Sequence, residues 1–148
     1  MIKEVDYNNI HFLKLCTKLE QDHVTVIAKQ RFPNSNCLKN LDKYIHISLY
    51  FEGEKAIECL AISKPINYVV EIGRLYVLPK YKNKKIASKL FEKVFTIIQQ
   101  EGNKIAILNT YKRFEAALHL YKKLGFQIVN TFDDLKNSPH LICMQKNF

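Results

Sequence analysis

Residues 71–90 read EIGRLYVLPKYKNKKIASKL, and two hydrophobic periods meet inside them. Before the turn, Asn67–Leu78 is rich in Val, Ile and Tyr and reads as a strand. Pro79, which has no N–H to give a ladder, stops it. After the turn Ile86, Ala87, Leu90, Phe91, Val94, Phe95, Ile97 and Ile98 recur at three- and four-residue steps. Lys84, Lys85, Lys89, Glu92, Lys93, Gln99 and Gln100 fill the other side. That spacing predicts the strongest amphipathic helix of the chain, with Gly102 in the C-terminal cap position. A further apolar run, Lys104–Asn109, follows. Strand, helix and strand in this order predict a right-handed parallel crossover.

The flanking segments extend the pattern. Ile2–Val5 reads as a short strand. From about Asn9, Phe12, Leu15, Cys16 and Leu19 share one helical face. Asp22–Lys43 has a weak pattern on either side of Pro33 and reads as loosely helical. His46–Glu52 and Lys55–Ser63 read as two strands of a hairpin joined through Gly53-Glu54. Phe114–Leu124 predicts a helix with Ala117, Leu120, Tyr121 and Leu124 on one face and Gly125 as its stop. Phe126–Val129 and Leu141–Gln145 are the last strands. The order β-α(α)-β-β-β-α-β-α-β-β predicts an α/β (α+β) chain with helices packed on a mixed sheet. No repeat, linker or biased segment divides it, so residues 1–148 are expected to form one domain.

Composition narrows the function classes. The chain has 148 residues, 47% of them hydrophobic and 25% charged, which is globular and argues against wholesale disorder. There is no run of about 18 apolar residues, so no membrane span is expected. The start, MIKEVDYNN, lacks the basic-then-apolar pattern of an export signal, and a cytoplasmic location is expected. The 23 basic residues against 14 acidic give a net charge of +9, which points to an anionic ligand, substrate or surface. Arg occurs only at Arg31, Arg74 and Arg113. Readers of nucleic acid lean on Arg for bidentate contacts, so nucleic acid is the less favoured partner. Cys16, Cys37, Cys59 and Cys143 show no Cys-x-x-Cys spacing and read as free thiols, Cys59 as a small core residue. His11, His23, His46 and His140 have no ligand spacing, and no metal is expected. Ser88 lacks the setting of a hydrolase nucleophile.

The turn before the strong helix carries the chemistry. A helix start offers N–H groups without intrahelical partners and the positive end of the dipole, which together bind anions. Four of the residues Lys80–Lys85 are Lys, and Asn83 tolerates a left-handed backbone. By itself the charge run Lys80–Lys93 reads better as the solvated face of a helix, since most such runs are.

The stretch Glu71–Leu90 resembles the acetyl-CoA-binding motif of the GNAT superfamily of N-acetyltransferases, R/Q-x-x-G-x-G/A opening a helix. Ala116–Phe126 resembles the family's A-x-x-x-Y-x-x-x-G-F segment, in the right order and at a common separation. Lys82 stands where the family prefers Arg or Gln, and Asn83 and Lys85 where Gly is frequent or preferred. Ala87 fits. Phe114 stands where many members carry Asn. Lys85 can occupy a glycine's place only with its side chain turned from the ligand or curled back onto it.

The resemblance implies a single-domain fold whose central mixed, mostly antiparallel sheet of 6–7 strands is flanked by about four helices. It implies acetyl-CoA as co-substrate and direct transfer of acetyl to a primary amine of a small molecule or peptide in a ternary complex. Backbone groups of Leu75 and Val77, with Tyr76 between them, would hold the acetyl oxygen and pantetheine arm. Lys82, Asn83, Lys84, Lys85, Ile86, Ala87 and Ser88 would form the pyrophosphate cradle. Tyr121 would be the acid for the departing thiolate and Glu71 the base for the amine. Each role has a plainer rival: Tyr121 as a core aromatic, and Glu71 as a strand residue paired with Arg74 or a neighbouring Lys. His119 is expected on another side of its helix from Tyr121.

A second function class is a non-catalytic basic module of this fold contacting nucleic acid or another anionic partner. The absent motif glycines and the charge favour it; Tyr121, Glu71 and the helix start favour the enzyme. The acceptor pocket is expected from about Asp22–Lys43 and Thr131–His140, where Glu20 and Asp22 could attract an amine. Association into a homodimer is left open.

Overall fold

The computed structural model describes residues 1–27, 37–82, 85–112, 114–129 and 141–148, with backbone only for 23–27. Its elements are β1 (Ile2–Val5), α1 (Ile10–Ile27), β2 (Tyr44–Glu52), β3 (Lys55–Ser63), β4 (Val69–Val77), α2 (Ile86–Gln100), β5 (Ile105–Tyr111), α3 (Glu115–Lys123), β6 (Gln127–Val129) and β7 (Leu141–Asn147). The seven strands form one sheet in the order β1-β2-β3-β4-β5-β7-β6. Every described pairing is antiparallel except β4 with β5, joined through α2. This is the expected α/β fold with its one parallel crossover.

Three α-helices flank the sheet among the described residues. The segment read as loosely helical contributes the end of α1 and a 3₁₀ turn at Leu41–Lys43; residues 28–36 and 130–140 lie outside the described residues. No described helix is long and apolar enough to cross a membrane.

Local chemistry sets the element ends. Asn9 caps α1, its Oδ1 accepting the N–H groups of His11 at 2.9 Å and Phe12 at 3.3 Å. Gly53 turns the β2–β3 hairpin at φ 61°. His46 lies between Glu4 of β1 and Glu101 at the end of α2, tying three parts of the chain together. Burial disfavours its charged form, but the two carboxylates outweigh that and raise its pKa.

The period-2 alternation of β3 divides the core. Ile57, Cys59 and Ala61 face α1 with Phe12, Leu15 and Cys16. Leu60 and Ile62 face α2 and α3 with Leu90, Phe91, Val94 and Tyr121. Glu58 falls on the α2 side, paired across the sheet with Tyr50 and Val77. It is completely buried, and among the described residues neither carboxyl oxygen has a hydrogen-bond partner. Burial pushes its pKa to about 8, so the folded protein holds it as a neutral acid at pH 7.

Stability should therefore fall with rising pH. Below about pH 4.5 Glu58 is protonated folded and unfolded; from there to about 8 only the folded chain keeps the proton, which favours unfolding as pH rises. His46, raised as well, loses its contribution in the same direction. Glu58→Gln removes the ionisation alone. Thermal melts at pH 5 and pH 8.5 should show the variant gaining on the wild type at the higher pH. Parallel profiles would mean that Glu58 ionises normally in the fold.

Candidate functional site

β4 has a second strand neighbour for only part of its length. It pairs with β5 over Val69–Glu71 against Ile105–Ile107, and beyond that no pairing joins the two strands. β4 continues to Val77 against β3. The N–H of Leu78 donates to Ile57 O of β3 at 2.9 Å. Alternation then directs the N–H groups of Val77 and Leu75 to the opposite edge, toward the gap left by β5. An open strand edge of this kind accepts an extended ligand as an added strand.

The same stretch carries a β-bulge. Cys59 pairs with Tyr76 but Ala61 with Gly73, so Arg74 and Leu75 together oppose Leu60. Arg74 takes the extra turn at φ 58°, a left-handed conformation costly for a residue with a side chain. The bulge reverses the facing of β4. Glu71 precedes it, and Tyr76, two residues past Arg74, joins the α1-side core.

Past Val77 the chain makes a 3₁₀ turn at Pro79–Tyr81 and enters α2. Tyr81 is buried, its hydroxyl 3.5 Å from Glu52 Oε1, with Lys55 Nζ 6.0 Å from its ring centroid. This anchors the turn to the β2–β3 hairpin. Lys82 is exposed, whereas Asn83 and Lys84 lie outside the described residues. Lys85 is the N-cap residue of α2 at φ 58°, ψ 16° and is exposed. It adopts the backbone a motif glycine would supply. The Lys85 side chain does not cap the helix, so the N–H groups of its first turn, which holds Ile86, Ala87 and Ser88, have no side-chain partner from the cap residue. Ile86 is buried; Ala87 and Ser88 are half-buried.

Tyr121 sits on the inner face of α3, 5.9 Å from Phe91 and 6.1 Å from Phe126 by ring centroids, both edge to face. Burial raises its phenol well above the usual range, so the hydroxyl stays protonated throughout the neutral and mildly alkaline range. His119 is exposed, on another side of the helix. Glu71 is half-buried, and its Oε1 meets Lys43 Nζ at 3.2 Å. Of the ion partners expected for it, a lysine is the one found. Ser63 Oγ accepts the Glu71 N–H at 2.9 Å.

The α1 side of the bulge holds residues whose part the sequence reading did not foresee. The Arg74 guanidinium donates to Cys37 O at 3.1 Å and Lys39 O at 3.2 Å, and lies 5.3 Å from the Tyr44 ring centroid. Tyr44 is buried with its hydroxyl over Gly73; a Cβ there would come within 2.3 Å of that oxygen. Glycine inside a strand signals a bulge or a close approach, and at Gly73 it marks both. Glu20 Oε2 accepts the Cys37 N–H at 2.8 Å. The Tyr76 hydroxyl bonds Asp22, and burial together with that carboxylate pushes its pKa up to about 12.

Comparisons with known proteins agree with this geometry. Residues 12–126 match the model of the acetyltransferase (GNAT) family. No curated protein matches the chain. Among solved structures, a Klebsiella pneumoniae protein described as an acyl-CoA N-acyltransferase superposes with TM-score 0.82 at 20% identity, covering 99% of this chain and 96% of its own. A GNAT-family acetyltransferase from Staphylococcus aureus gives 0.77 at 19% identity, with 99% of each chain covered. The PaiA N-acetyltransferase from Thermoplasma acidophilum, solved with coenzyme A, gives 0.76 at 17%, covering 100% and 99%. At these identities the superpositions establish the fold.

The left-handed Lys85 carries a testable cost. Lys85→Gly relieves it and should raise stability by roughly 0.5–1 kcal/mol, and Lys85→Val should lower it, since β-branched residues tolerate this backbone worst. Denaturant titration of both reads the sign. A less stable Gly variant and an unchanged Val variant would show that Lys85 has no such strain.

Proposed function

The chain belongs to the acetyltransferase (GNAT) family and is an acyltransferase, and from that premise we propose that it moves the acetyl group of acetyl-CoA directly to a primary amine of a small molecule or peptide. The observation that carries the reading is the open edge of β4, with the N–H groups of Leu75 and Val77 turned to the gap, running into the start of α2, where Lys85 gives no side-chain cap. The pantetheine arm adds to that edge as an extended strand. The pyrophosphate lies against the main chain of Lys85, Ile86 and Ala87 and the hydroxyl of Ser88. Lys82, exposed at the end of the 3₁₀ turn, adds positive charge beside it. The backbone of Tyr76 faces β3, so its part is to hold the edge in register.

The acceptor approaches from the α1 side, where Glu71, Tyr76, Glu20 and Asp22 lie. An alkyl ammonium ion has pKa about 10.4 and attacks only after losing a proton. Glu71, directly or through water, takes it. The amine nitrogen then bonds to the thioester carbonyl carbon, and the carbonyl oxygen becomes an oxyanion held by the Leu75 N–H. Collapse breaks the carbon–sulfur bond, the thiolate takes a proton from Tyr121, and the second proton of the attacking nitrogen, cationic since the attack, passes through water to restore the phenol and leave a neutral amide. Because burial raises Tyr121, a finished phenolate opposite a free thiol is unfavourable. The proton therefore moves as the bond breaks.

Three measurements test this. Acetyl-CoA should raise the melting temperature and acetyl-pantetheine, lacking the phosphates, much less; no shift at saturation would remove the ligand assignment. Tyr121→Phe should lower kcat by roughly 10²-fold while acetyl-CoA affinity stays nearly unchanged; an unaltered rate would leave Tyr121 a packing residue. Glu71→Gln should move the rate profile to higher pH, where more amine is already neutral; a stationary profile would clear Glu71 of the base role.

A further inference from the structure

Arg74 occupies a strained position that its side chain holds from the α1 side of the sheet. Its backbone is left-handed in the middle of β4, the place where the strand must turn Leu75 toward the gap. A strained residue persists only where its surroundings over-determine it, and here they can be named. The Arg74 carbonyl accepts the Cys59 thiol at 3.0 Å. The guanidinium reaches the carbonyls of Cys37 and Lys39 and packs on Tyr44. Tyr44 in turn needs the missing Cβ of Gly73, the residue just before Arg74. Two described donors of the guanidinium thus go to main-chain oxygens of the 37–39 loop, which sits beside Glu20 on the acceptor side.

We infer that Arg74 is a positioning residue that fastens the 37–39 loop to the β4 bulge, so that the acceptor-side loop and the Leu75 N–H are held as one rigid unit. The inference rests on the proposed acetyl-transfer reading for its kinetic consequence, though not for the structural coupling. Arg74 touches neither reactant. It holds the oxyanion donor in the orientation that the bulge alone does not secure. A loosened bulge leaves the rest of the open edge and the α2 start intact. Thioester binding should then survive while turnover falls, because an ångström of misplacement at the reacting carbon can cost about 10²-fold.

The test uses the full chain in two independent readouts. In the first, Arg74→Met should lower kcat by at least about 30-fold with acetyl-CoA affinity, by titration calorimetry, within about 2-fold. Arg74→Lys should not restore it, since an ammonium cannot fork to two carbonyls and stack on Tyr44 together. In the second, hydrogen exchange without ligand should show residues 37–40 and 73–77 losing protection together in Arg74→Met. Should that variant fold poorly, Cys59 offers a gentler pair: Cys59→Ser keeps a donor to the Arg74 carbonyl and retains turnover, while Cys59→Ala loses it. Unchanged kcat in Arg74→Met, or loss of protection confined to one of the two segments, would overturn the coupling, as would equal turnover in Cys59→Ser and Cys59→Ala. If the wild type binds no acetyl-CoA, the acetyl-transfer reading fails and the exchange experiment still decides the coupling.

Discussion

A strand satisfies both of its edges only where it has two neighbours, and β4 loses one after Glu71. Main-chain N–H groups are costly to leave unpaired away from water. An edge opened in the interior of a sheet is therefore a binding surface with fixed donors, needing no side chain to supply them. The bulge at Arg74-Leu75 sets where that surface turns, and the parallel register with β5 sets where it begins. The proposed roles of Leu75, Val77 and the α2 start all depend on this divergence.

The helix start adds the second half of the proposed site. In many phosphate-binding turns glycine lets the backbone come close to the ligand. Here Lys85 adopts the left-handed backbone itself and remains exposed. The fold thus keeps the backbone shape while accepting strain and gaining a positive charge. The net charge of +9 is consistent with an anionic co-substrate, and the lysines around the turn give that charge a place to act.

Much of the architecture was legible in the residues. The apolar run of β3, bounded by the Gly53 turn and buried on both faces, and the three- and four-residue steps of α2, which buries one face, gave elements close to those found. Lys55–Ser63 matches its prediction end to end. Asp22–Lys43 was the least legible segment, since no single face there is apolar throughout. In the site, Tyr121 could be placed on the inner face of its helix from spacing alone, and Lys85 could be singled out as the odd residue of its turn. The clamp of Cys59, Arg74 and Tyr44 could not. It joins residues far apart in the chain through a main-chain carbonyl and a bulge, and neither leaves a periodic trace. Gly73 was the single local signal. Glu58 was equally hidden, since a lone acid in an apolar run gives no sign of whether it finds a partner.

The account stands on the open edge of β4 as the seat of the acetyl-bearing arm. The most direct measurement is the amide spectrum of protein labelled with ¹⁵N at Leu and Val, followed as acetyl-CoA is added. The amides of Leu75 and Val77 should shift more than those of Leu49 or Val5 in strands far from the gap. Saturable binding that leaves Leu75 and Val77 unmoved would contradict the account.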